Sequence, residues 1–83
     1  MTLESKILIV DDDKFLLDMY ALKFSESGFT VETALSGAEA LSRLDDGFEP
    51  AIYLIDIIMP GMDGFKLIET VKERGKAKAS TII

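Results

Sequence analysis

Four apolar residues, Ile7, Leu8, Ile9 and Val10, run without a polar interruption straight into three aspartates, Asp11, Asp12 and Asp13. A strand with one wet face would alternate apolar and polar residues. An unbroken, β-branched-rich run therefore reads as a strand covered on both faces, as in a parallel sheet packed between helices. The acidic triplet then stands at the carboxyl end of that strand, and the following sequence has to supply the covering helices.

It does so in alternation with further strands. From Lys14 to Ser27, the residues Phe15, Leu16, Met19, Tyr20, Leu22 and Phe24 recur at helical spacing. Lys14, Asp18, Lys23 and Glu26 mark a polar side, and Gly28 suits the position just past a helix end. Residues Phe29 to Leu35 alternate around Val31 and Thr33 as a second strand. Ser36 and Glu39 make a capping box for a helix carrying Ala40, Leu41 and Leu44, with Gly47 after its end. Residues Ala51 to Ile55 repeat the buried-strand pattern. After a Pro-Gly loop, Asp63 can cap a helix that turns Phe65, Leu67, Ile68 and Val71 inward and ends at Gly75. Lys76 to Ser80 form a polar connection, and Thr81, Ile82 and Ile83 begin a fourth strand.

Strands and helices alternating at this spacing predict an α/β fold, a doubly wound parallel sheet built by right-handed crossovers. At 83 residues there is room for one small domain, with three strands, three helices and the start of a fourth strand. In such a sheet all strands end at one edge, and ligands bind in the crevice beyond it. Asp11 and Asp12 end the first strand there, and Asp56 ends the third. Asp13 has a plainer reading as the cap of the next helix.

Composition narrows the chemistry that this edge can support. There is no cysteine and no histidine, which excludes disulfides, thiolate and imidazole chemistry and the usual zinc ligands. A net charge of −6 argues against a nucleic-acid footprint on this segment. No stretch fits a signal peptide or membrane span, so a cytoplasmic chain is expected. Carboxylates remain as the reactive groups. Three of them brought together repel unless one is protonated or a cation intervenes. Magnesium suits oxygen ligands of this kind and commonly leaves a position for a phosphate oxygen. An EF-hand calcium loop does not fit, since Phe15 falls where a third acidic ligand is needed. With charge on an incoming phosphoryl group neutralised, Asp56 can act as a nucleophile and form an acyl phosphate.

The segments Ile7-Leu-Ile-Val-Asp-Asp-Asp13, Leu54-Ile-Asp56 and Met59-Pro-Gly-Met-Asp-Gly64 together resemble the receiver domain of bacterial two-component response regulators. The resemblance runs from about Lys6 to the last residue, so that residues 1–83 read as the N-terminal part of a single domain of this kind. It implies the flavodoxin-like strand order 2-1-3-4-5. It also implies Asp56 as the phosphoacceptor, Asp12 as a direct ligand of Mg2+, Asp11 as its partner through water, and the backbone carbonyl of Ile58 as another metal ligand. Pro60 and Gly61 match the loop that shapes such a site. The implied partner is a sensor histidine kinase or phosphotransfer protein. The implied activity is phosphorelay signalling, with at most metal-assisted self-phosphorylation and self-dephosphorylation.

Two parts of the family's site have no counterpart in these 83 residues: a Ser or Thr after the fourth strand and a Lys after the fifth. Lys76 and Lys78 precede the fourth strand and are assigned no role. The family's fifth helix would cover one sheet face beside the first helix. The missing hydroxyl and lysine predict poor acceptance of phosphate, and the missing helix predicts an exposed apolar face, which could drive self-association through that face and the strand-four edge. Three other functions compete. An aspartyl-phosphate phosphatase would want a second Asp two residues after the nucleophile, where this chain has Ile58. A non-phosphorylated interaction module could keep the same fold. A nucleotide or flavin binder would need a Gly-rich loop where Asp-Asp-Asp-Lys stands.

Overall fold

The computed structural model describes residues 5–56, 64–73 and 81–82. The run that opened the sequence forms β1 (Lys6–Val10), and its four apolar residues are all buried. There follow α1 (Lys14–Glu26), β2 (Thr30–Ala34), α2 (Gly37–Asp45), β3 (Ile52–Ile55), α3 (Gly64–Glu73) and β4 (Thr81–Ile82). The four strands are parallel in the order β2-β1-β3-β4. Ile7 lies opposite Val31 and Ile52, and Val10 lies opposite Ala34 and Ile55. β1 is thus central, which is why it has no polar alternation.

Its side chains point alternately to two cores. Leu8 and Val10, with Tyr53 and Ile55 of β3, pack under α2 (Ala40, Leu44) and α3 (Leu67, Val71). Ile7 and Ile9 pack on the opposite face against Leu17 of α1. Helices on both faces make the sheet doubly wound. No polar or charged side chain among the described residues is buried, so burial of apolar surface is what holds these layers together.

Local chemistry sets the element ends. Asp13 caps α1, its Oδ1 accepting from the N–H groups of Phe15 (3.0 Å) and Leu16 (3.2 Å). At the other end the Gly28 N–H donates to Ser25 O and the Phe29 N–H to Phe24 O, with Gly28 at φ 97°. The Phe24 and Phe29 rings meet edge to face, 5.4 Å apart. This is a Schellman closure with its apolar contact. Gly47, at φ 103°, closes α2 in the same manner. At the start of α2, the Glu39 N–H donates to Ser36 Oγ as expected. The returning bond reaches one residue further back, from the Leu35 N–H to Glu39 Oε1.

Two expectations about helix faces are corrected. On α1, Phe15 and Leu22 are 76% and 61% exposed, while Leu17 is buried and Phe24 packs beside it. The helix carries apolar residues around most of its circumference, so periodicity alone cannot choose which stripe meets the sheet. On α3, Leu67 and Val71 fill the core and Ile68 packs against it as expected, but Phe65, expected inward with them, is 66% exposed. The expected Asp63 cap, the helix end at Gly75, and Ile83 lie outside the described residues, as do Lys76 and Lys78.

Candidate functional site

Both pairings of β1 continue one residue past its end. The Asp11 N–H donates to Ala34 O (3.1 Å), and the Asp56 N–H donates to Val10 O (2.9 Å). These backbone bonds fix Asp11 and Asp56 side by side at the carboxyl edge of the sheet, where the chain turns into its next segment. Asp11 Oδ1 also accepts from the Asp13 N–H at 2.9 Å, which folds the acidic turn back on itself. Asp13 directs its own carboxylate into the α1 cap and away from its neighbours.

The result is a cluster in which Asp11, Asp12 and Asp56 each bring one carboxylate oxygen within 4.8 Å of the others. Asp11 and Asp56 are half-buried and Asp12 is exposed, so the cluster is open to solvent on one side. Two strand ends and one turn residue thus supply a hard, all-oxygen donor set. The donor chemistry fits a magnesium ion, which binds through one or two carboxylates while keeping several waters. The Ile58 carbonyl and the Pro60–Gly61 loop lie outside the described residues.

One feature beside the cluster had no clear sequence signal. A groove of about 490 Å³ runs along α1 on the face opposite α2 and α3, floored by Ile9 and Leu54 and walled by Tyr20 and Phe24. Asp11 and Asp56 close one end, and Lys23 and Ser27 also line it. Sequence periodicity marked Lys23 only as part of a polar side. Its place in the groove lining depends on the rotational phase of α1.

Residues 7–83 match the model of the response regulator receiver domain. The chain belongs to that family. It is 42% identical over 69 residues to the transcriptional regulatory protein CpxR homolog of Haemophilus influenzae, covering 83% of this receiver chain and 28% of that protein. The chemotaxis protein CheY4 of Vibrio cholerae superposes with a TM-score of 0.90 at 30% identity, over 96% of this chain and 66% of that one. The response regulator TrrA of Thermotoga maritima, solved in complex with Mg(2+)-BeF, shares the fold with a TM-score of 0.80 at 21% identity, over 95% of this chain and 84% of that one. The receiver chain spans only 12% to 28% of the first curated relatives it matches. Among the described residues, no helix is long and apolar enough to cross a membrane.

Proposed function

We propose that this receiver chain takes a phosphoryl group on Asp56 in a two-component phosphorelay, supplied by a phosphohistidine of a sensor histidine kinase or phosphotransfer protein. The observation that carries this reading is the meeting of Asp11, Asp12 and Asp56 at one sheet edge of a receiver-family chain. An Asp56 carboxylate oxygen attacks phosphorus, and a P–O bond forms as the P–N bond to the donor imidazole breaks. The imidazole nitrogen leaves with the bonding electron pair and takes up a proton. The product is an acyl phosphate on Asp56.

Asp11, Asp12 and Asp56 would hold Mg2+ at this edge, with the Ile58 backbone carbonyl as the further ligand that the family resemblance implies. When bound, the ion neutralises charge on the transferring phosphoryl oxygens. Asp11 and the backbone bonds from Asp56 and Asp11 to the β1 and β2 ladders keep the nucleophile in place. No acidic side chain stands two residues beyond Asp56, where Ile58 is found, so hydrolysis lacks a positioned general acid and the reading is of a phosphoacceptor and not a turnover phosphatase. A cytoplasmic location goes with this role.

Acetyl phosphate with and without magnesium, followed by intact mass, tests the reading. A single phosphoryl adduct is expected, dependent on magnesium and abolished by Asp56→Asn. Equal labelling of Asp56→Asn would refute the assignment.

A further inference from the structure

The outer edge of β2 is closed by a side chain from α2. The order β2-β1-β3-β4 puts β2 at one border of the sheet, and the order implied for the family places a fifth strand beyond β4, at the opposite border. Along β2 the Thr30 N–H donates to Ser5 O, and Ala34 O accepts from the Asp11 N–H, so the backbone groups of Thr30, Glu32 and Ala34 face β1. The even spacing of a parallel ladder turns the N–H and C=O groups of Val31 and Thr33 the other way, out of the sheet. That outward row belongs to a segment, Phe29 to Leu35, that is rich in β-branched and apolar residues. It holds no Pro or Gly and carries one charge, Glu32. An edge of this composition is a template for strand pairing.

Arg43, in the last turn of α2, reaches this border. Its Nε donates to Thr33 O at 3.1 Å and lies 3.5 Å from Glu32 Oε1. One guanidinium thus occupies an outward acceptor and is held there by the one charge of the strand. The two side chains are 40% and 44% exposed, and a pair so open to water adds little to stability, so the contact matters more for what it blocks. What it blocks is a second β2. Antiparallel apposition about a two-fold axis at Glu32 sets Val31 of one copy against Thr33 of the other, and each such pair exchanges both hydrogen bonds. It also sets the two Glu32 side chains opposite each other on one face, where like charges repel. We propose that Arg43 and Glu32 form a strap that keeps the β2 edge from pairing with β2 of a second copy of this chain. Arg43 withholds the Thr33 carbonyl, and Glu32 both anchors Arg43 and repels its counterpart.

Amide hydrogen exchange followed by NMR across a concentration series reads this edge residue by residue. In wild type the Val31 and Thr33 N–H groups are expected to exchange fast at every concentration, while those of Thr30, Glu32 and Ala34, which face β1, exchange slowly. Arg43→Ala puts the strongest helix former on α2, so the fold stays intact, as far-UV circular dichroism will verify. In that variant, exchange at Val31 and Thr33 is expected to slow at least about tenfold from the low to the high end of the series, with a rise in mass by light scattering. Adding Glu32→Gln removes the repulsion and lowers the concentration at which this occurs. Val31 and Thr33 amides that stay fast in both variants at every concentration overturn the proposal, as does concentration-dependent protection already present in wild type. A rise in mass of the variants that leaves these two amides fast puts the association at another surface and overturns it equally.

Discussion

Three adjacent aspartates do different work because the backbone aims each of them differently. Asp13 faces the α1 N–H groups, and Asp11 and Asp12 face Asp56. Replacing Asp13 with alanine strips two N–H groups of their acceptor and is expected to cost about 1 kcal/mol of stability, read as a lower urea midpoint. Tyr53 lies wholly buried in the middle of β3, and burial pushes its phenol above the ordinary value of 10.0. The folded chain keeps the proton where the unfolded chain releases it. Stability from this source is complete below pH 10.0 and declines as pH rises through the folded value. The urea midpoint of wild type should fall above pH 10 more steeply than that of Tyr53→Phe; parallel profiles would contradict this. At this scale much was legible in the sequence. A cap and a strand-end carboxylate follow from local pattern, and the meeting of residues 11, 12 and 56 follows from parallel topology. The position of Lys23 did not follow, because it depends on which way α1 is rotated.

Elements were legible wherever a terminating residue had a single physical solution. Gly28 and Gly47 both sit at positive φ just past a helix, with Phe29 and Phe48 completing the closures. A Cβ at Gly28 would meet nothing within 4 Å, so Gly28→Ala tests backbone conformation without a packing clash. The expected loss is about 1 kcal/mol, measured by urea unfolding, and an unchanged midpoint would show that the turn relaxes into another conformation. The faces of α1 and α3 were less legible. Phe15, Leu22 and Phe65 have the hydrophobicity of core residues, yet the sheet meets Leu17, Leu67 and Val71. Hydrophobic pattern fixes that a helix forms more firmly than it fixes the helix's rotation, which is settled by the packing of the whole layer. Arg43 illustrates the same gap: its Nε donates to Thr33 O at 3.1 Å and lies 3.5 Å from Glu32 Oε1, tying α2 to β2 through a long-range contact that no spacing rule announces.

For the whole molecule, the strand order β2-β1-β3-β4 is the one that the family resemblance implied, and it determines where the functional residues meet. It sets the ends of β1 and β3 side by side, which creates the acid edge. It also places α1 on one face and α2 with α3 on the other, which leaves a groove running from that edge along α1. The measurement that bears most directly on the central claim is reductive trapping. The chain is incubated with acetyl phosphate and magnesium, treated with borohydride to convert any aspartyl phosphate to homoserine, and its peptides are sequenced by mass. Homoserine at position 56 and at no other aspartate is the predicted result. Unmodified Asp56, or homoserine at Asp11, Asp12 or Asp13 instead, would contradict it.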